Sequence, residues 1–380
     1  MNSNTFDAIV LGGGGMGRAA AYYLSRMGQK VLVLERFELD HSYGSSNDHS
    51  RIIRYAYDHP DYIKLVGRAY DLWRELEAAS GMELLTITGG IDLGRLPHPR
   101  FAATRQSMLE MGIPFEELDS AQIHERFPQF TVAEDVVGLY QAEAGAVRAA
   151  RCNEAHLRLA QAAGAQVLAT CPVSQLRALP NGVEVDTPQG TFSAARLVVT
   201  AGAWAGQVLK DLDLSLPLVP SREQVAYFEA QPAELYSAAR MPVYIFWGDE
   251  IFYGIPSVSP DHGLKCAQHL ALDPCDPDTV NRNPDEAYIQ KLRAFMRGCF
   301  PEVADRPLQV AKICFYTMTP DEHFILDQHP AYPHIAIGAG FSGHGFKFAS
   351  LIGKILAEMA SQEPLPYELD LFKLGRFKSL

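Results

Sequence analysis

The chain has 380 residues, of which 47% are hydrophobic and 21% charged. That supplies core for about two to three domains and excludes a disordered chain. The formal net charge of -12 disfavours nucleic acid, whose phosphates need a basic face, and no apolar run reaches membrane-spanning length. In chain order, an apolar strand at 8–11 leads through Gly12-Gly13-Gly14-Gly15-Met16-Gly17 into a helix at 18–27, stopped by Gly28. A second strand at 30–34 ends on Glu35. After a polar loop at 40–50, Leu65, Val66, Ala69, Leu72 and Trp73 predict a helix over 62–79. The stretch 84–93 is β-like, helices are expected at 100–111 and 148–164, and strands at 166–170, 183–186 and 196–200. From 222 to 316 aromatic and β-branched residues alternate, with strands at 225–228, 243–247, 251–255, 264–267 and 308–316, as in an antiparallel sheet with one covered face. The end returns to α/β character, with a strand at 334–338 and a helix at 346–359.

Gly12-x-Gly14-x-x-Gly17 lets the backbone turn tightly and approach a pyrophosphate, which then faces the free N–H groups of a helix N-terminus. Glu35 closes the βαβ unit where an acid can accept hydrogen bonds from ribose hydroxyls. The motif does not separate NAD from FAD. Gly338-x-Gly340-x-x-Gly343 repeats the pattern, but too little chain follows for a second nucleotide site. It reads better as a helix N-terminus aimed at the other end of the same cofactor, where its dipole would stabilise negative charge.

The six cysteines, at 152, 171, 266, 275, 299 and 314, form no CxxC or metal-type cluster. Reduced thiols in a cytoplasmic protein fit them best. No signal peptide is read at the N-terminus, and Lys378-Ser379-Leu380 scrambles the peroxisomal Ser-Lys-Leu signal. A nucleotide site at one end and Cys314 near the other suggest a cofactor that is bound and then covalently fixed. A flavin accepts a thiolate that way and a nicotinamide does not. The bland alternative is a buried, inert cysteine. Arg51 and Arg54 would share a face if helical. They read as paired surface charges or as a bidentate clamp for a substrate carboxylate with a cation beside the cofactor. Lys265, in a β-like run, either points to solvent or is a buried cation where superoxide-like charge develops.

Together these motifs resemble the monomeric sarcosine oxidase family, which includes N-methyltryptophan and pipecolate oxidases, within the wider D-amino-acid-oxidase-like flavoprotein fold. The resemblance covers nearly the whole chain. The N-terminal fingerprint, Gly44-Ser45…Ser50-Arg51-Ile52-Ile53-Arg54, Gly254…Gly263-Leu264-Lys265…His269, Cys314-x-Tyr316-x-x-Thr319-Pro320-Asp321-Glu322-His323 and Gly340-Phe341-Ser342-Gly343-His344-Gly345-Phe346-Lys347 occur in family order. It implies a mixed α/β fold, with a Rossmann-like FAD-binding domain (1–82, 143–215, 322–380) interleaved with an antiparallel-sheet substrate domain (83–142, 216–321). It implies FAD attached through Cys314, with Gly12, Gly14, Gly17, Glu35, Arg36 and Val173 at the adenosine and pyrophosphate half. Ser50, Arg51, Gly340, Gly343 and Lys347 belong at the flavin. Arg54 and Lys347 bind the substrate carboxylate, Tyr253, His269 and Tyr316 line the cavity, and Lys265 activates oxygen, with Arg51 and His269 beside it in the chemistry.

One departure stands out. Members often carry His-Gly-Asp or His-Gly-Gln before the Thr/Ser-Arg, and this chain has Asn47-Asp48-His49. The stretch 257–262 also departs. The expected activity is oxidation of a carboxylated secondary amine to an imine with release of hydrogen peroxide, by a monomer whose partners are a small amino acid and molecular oxygen. Three alternatives stay open: a flavin dehydrogenase or biosynthetic tailoring oxidase acting on a larger or glycated amino acid, a nicotinamide dehydrogenase, and a non-catalytic flavin-binding module.

Overall fold

The computed structural model describes residues 4–259 and 262–377. Pro260 and Asp261, within the 257–262 stretch, and the terminal Lys378-Ser379-Leu380 lie outside the described residues. The first strand, Thr5–Leu11, runs parallel between Val31–Leu34 and Gly190–Val199. Gln166–Leu168 extends the sheet beyond Val31–Leu34, and Tyr332–Ala339 pairs in parallel with the far side of Gly190–Val199. The central strands are apolar almost throughout because both faces are covered. Helix Gly15–Arg26 packs on one face, with helices Ala349–Ala360 and Ala149–Ala162 against it.

Helix Pro60–Ser80 begins where the His59 side chain accepts from the Asp61 N–H and Pro60 presets the first turn, and it ends at the left-handed Gly81. Its apolar stripe, Leu65 to Leu76, joins the core between this helix and Ala349–Ala360.

A second, nine-stranded sheet holds Gly90–Gly94, Val243–Trp247, Ile251–Ile255, Leu264–His269, Val219–Phe228 and Leu308–Met318. It is antiparallel apart from the parallel pairing of Val243–Trp247 with Gly90–Gly94. The fold is therefore the expected mixed α/β type. On this strand membership we propose the division 1–82, 143–215 and 322–380 against 83–142 and 216–321; a small sheet of Arg51–Ile53, Gly145–Val147 and Leu85–Ile87 lies across it.

Two local readings are corrected. Arg51 and Arg54 do not share a helix face: Arg51–Ile53 is a strand paired with Gly145–Val147. Helix Glu286–Cys299 was not expected, although Asp285 caps it and Ile289, Leu292 and Met296 form its buried stripe against the second sheet.

Candidate active site

A cavity of about 1310 Å³ runs from the glycine turn after the first strand to the face of the second sheet. At the first end Gly12 has φ 104°, and a Cβ there would meet the Thr200 carbonyl at 2.5 Å. At Gly17 a Cβ would lie 1.8 Å from the Gly12 carbonyl, so only glycine lets the helix start this close to the strand. The N-cap residue Gly14 has no side chain to cap that helix and no acid occupies its first turn. The Ser46 hydroxyl accepts from the Gly15 N–H at 2.9 Å, and the end of the helix still faces the cavity, where its dipole favours an anion. Glu35, 6% exposed, accepts from the Gly13 N–H at 2.8 Å and the Phe37 N–H at 2.9 Å. Burial raises this carboxyl, but His41 and those two N–H groups hold it below its usual range. Arg36 lies over Phe37 and Trp204 and pairs with Asp278 at 2.8 Å, while half-buried Val173 lines the wall nearby.

The other end is built by strand alternation. Lys265 and His269 leave their strand on one face; Lys312, Cys314 and Tyr316 leave Leu308–Met318 on one face, and Tyr253 faces the same cavity. Cys266, on the opposite face, is buried in a different core, and Cys299 is buried behind the sheet. Of the cysteines, Cys171 and Cys314 line the cavity, Cys171 at the Glu35 end. Burial pushes the Cys314 thiol up to about 11, against the pull of Arg51 and Lys265. His269 is pushed down to about 3 by burial and the cations Arg100, Lys347 and Arg54, so it is a neutral ring, 3.4 Å from the Tyr316 hydroxyl. Gly343, at φ 79°, brings the second glycine turn against the Tyr316 ring, where a Cβ would sit at 2.3 Å. A single 3₁₀ turn, Phe346–Phe348, leads from it into helix Ala349–Ala360.

Arg54 and Lys347 converge on Tyr57, their charges 5.6 and 5.2 Å from its ring centre. Lys347 Nζ donates to the Tyr57 hydroxyl at 2.7 Å and to the His344 carbonyl at 2.9 Å, and its own carbonyl is held by the Trp73 indole at 2.7 Å. Burial pulls the Lys347 ammonium well below its ordinary value, and Arg54 adds to this. Arg54 donates from Nη1 to both oxygens of Asp92, at 2.9 and 3.1 Å, and Asp92 also accepts from the Trp247 indole at 2.8 Å. Sequence reasoning missed Asp92 and Trp247; the available signal was a lone acid between Ile91 and Leu93 in an apolar strand.

Of the expected site residues, Gly17 and Ser50 do not line the cavity. Gly17 acts through close packing, and Ser50 is buried with its carbonyl accepting from Lys265 and Arg51. The others line it together. The glycine cradle, the helix N-terminus facing the cavity, the buried acid and the cavity's volume fit a dinucleotide with room left for a small substrate.

A family profile for FAD dependent oxidoreductases matches residues 7–359. The chain belongs to that family. Monomeric sarcosine oxidase of Streptomyces avermitilis is 37% identical over 377 residues, 97% of each chain. Among solved structures, NikD, described as an unusual amino acid oxidase essential for nikkomycin biosynthesis, aligns with a TM-score of 0.87 at 25% identity over 98% of each chain. Relatives from Mus musculus and Homo sapiens, 35% and 34% identical over 381 residues, are named peroxisomal sarcosine oxidase. They overturn the cytoplasmic expectation: free thiols are equally compatible with that organelle. In this FAD dependent oxidoreductase no described helix is long and apolar enough to cross a membrane.

Proposed function

We propose that this oxidoreductase is an oxidase of a secondary amine bearing a carboxylate, releasing an imine and hydrogen peroxide. The observation that carries this reading is the pair of cations, half-buried Arg54 and buried Lys347, held around Tyr57 in the same cavity as the glycine cradle. Two cations can take the two oxygens of one carboxylate and fix the amine beside the reacting centre, which is a large part of what hydride transfer needs. FAD, when bound, accepts the hydride and passes electrons to oxygen.

The chain's own residues do the rest. Tyr253, Tyr316 and the neutral His269 form a wall that accepts or donates hydrogen bonds without adding charge, so a neutral amine is tolerated. The amine must lose its proton to react, and activity should rise with pH on the acid limb. Cys314 is the attachment point for the flavin in this reading: it lines the cavity wall beside Arg51 and Lys265, whose charges oppose the burial that raises its thiol. Lys265 is the cation placed for the charge that develops as oxygen is reduced. The similarity to proteins named monomeric sarcosine oxidase supports a monomer acting on a small amino acid.

Screening secondary amino acids, N-methylated, cyclic and glycated, for peroxide release tests the reading. Release from at least one of them is expected. A reduced flavin that passes electrons to a dye and yields no peroxide would favour the dehydrogenase alternative.

A further inference from the structure

Asp48 occupies the loop where the resembling pattern has glycine, and the fold gathers cations around it. Its Oδ2 accepts from Lys265 Nζ and lies 3.1 Å from Arg51 Nη1. Its Oδ1 accepts from the Tyr227 hydroxyl at 2.7 Å, from the His49 N–H at 2.8 Å and from Lys312 Nζ at 3.3 Å. The Asp48 and Lys265 side chains are 3% and 2% exposed. Among the described residues no other carboxylate pairs with Lys265, whose remaining contact is the Ser50 carbonyl at 3.2 Å.

Two effects compete. An anion beside Lys265 cancels part of its field, but it also opposes loss of the proton. The groups facing Lys265 decide between them. Arg51 and Lys312 repel a further cation, Tyr227 and the Cys314 thiol are neutral, and Asp48 is the one anion; the stacked rings of His49 and His262 lie behind, 3.7 Å apart. Burial and Arg51 pull Lys265 down and Asp48 opposes them. Desolvation alone would favour the neutral amine. A neutral amine has no field to partly cancel, so protection of the proton outweighs screening.

We propose that Asp48 is a positioning residue that keeps Lys265 an ammonium and directs it into the cavity. This rests on the reading of Lys265 as the cation that serves oxygen. One prediction is structural: a carboxylate bonded on both oxygens fixes Lys265 and Arg51 relative to each other. The other is functional: without Asp48, Lys265 loses its proton in the working pH range.

The test is a ¹³Cε NMR titration of the lysine-labelled holoenzyme, with Lys265→Met assigning the resonance, alongside the rate of flavin reoxidation against pH. In the unmodified protein the Lys265 signal should be that of an ammonium at pH 7. In Asp48→Asn its midpoint should fall by at least about two pH units, and reoxidation should slow about tenfold above that midpoint. Asp48→Glu, which keeps the anion, should restore both. An unchanged midpoint in Asp48→Asn overturns the proposal, as does a neutral Lys265 at pH 7 in the unmodified protein, a result that stands even if the variant fails to fold. If the midpoint moves while Lys265→Met reoxidises normally, Asp48 keeps its role and the oxygen reading of Lys265 falls.

Discussion

Half-buried Arg54 and buried Lys347 sit around one tyrosine ring at a cost, and buried Asp92 offsets part of it by pairing with Arg54. With Lys347 protonated, these three groups carry one net positive charge, a match for one substrate carboxylate. A charge-assisted hydrogen bond contributes roughly 1.5–3 kcal/mol, so Arg54→Ala or Lys347→Ala should weaken a carboxylate inhibitor about 10–150-fold while flavin content stays the same. Binding in the unmodified protein should also fade with rising pH well before an ordinary lysine titrates, because burial and Arg54 pull Lys347 down. Titration calorimetry with the inhibitor measures both, and an unchanged dissociation constant would refute the clamp. Cys314→Ala should leave FAD bound but released by acid precipitation. Peptide mass spectrometry showing FAD on Cys171, the other cysteine of the cavity wall, would displace the assignment.

At the level of elements, the site depends on how closely two helices approach beneath the first sheet. A Cβ on Gly353 would lie 2.3 Å from the Ala19 Cβ and 2.6 Å from the Ala20 nitrogen, so helix Ala349–Ala360 rests directly on Gly15–Arg26. These helices follow the two glycine turns, and their spacing sets the separation of the turns. Gly353→Leu should destabilise by about 1–3 kcal/mol or more through overpacking and weaken FAD retention; a melting temperature and flavin content both unchanged would contradict this. The elements around the glycine turns were legible because βαβ spacing and period-3.6 stripes are strong signals. The strand at Arg51–Ile53 was not, because three residues carry no usable period and its partner, Gly145–Val147, is remote in sequence. Asp48 was legible as a departure from pattern, but its meeting with Lys265 and Lys312 depends on tertiary pairing.

Over the whole molecule, strands from separate chain segments share each of the two large sheets, and the cavity lies where those sheets meet. His156 is buried between Tyr22 and Trp73 near the Ser350 hydroxyl, and burial with Arg18 pushes it down to about 3. An unfolded histidine binds its proton near pH 6.5, so the unfolded chain holds more protons below that value. The stability His156 confers is therefore present above about pH 6.5 and is lost as pH falls toward its folded value, at about 1.4 kcal/mol per pH unit. His156→Gln should flatten that slope in melting temperatures taken from pH 7 to pH 4, and a parallel slope would contradict the assignment. Compartment, by contrast, was not legible, since the physical traits of a peroxisomal and a cytoplasmic enzyme overlap. The central claim, a carboxylate-directed amine oxidase, is tested most directly by anaerobic mixing of the holoenzyme with secondary amino acids and with the same amines lacking the carboxyl group. The account predicts that the flavin is bleached by members of the first set and not by their decarboxylated counterparts, and that admitting oxygen restores the colour with peroxide matching the flavin reoxidised. Bleaching that ignores the carboxylate, or no bleaching by any secondary amino acid, would contradict it.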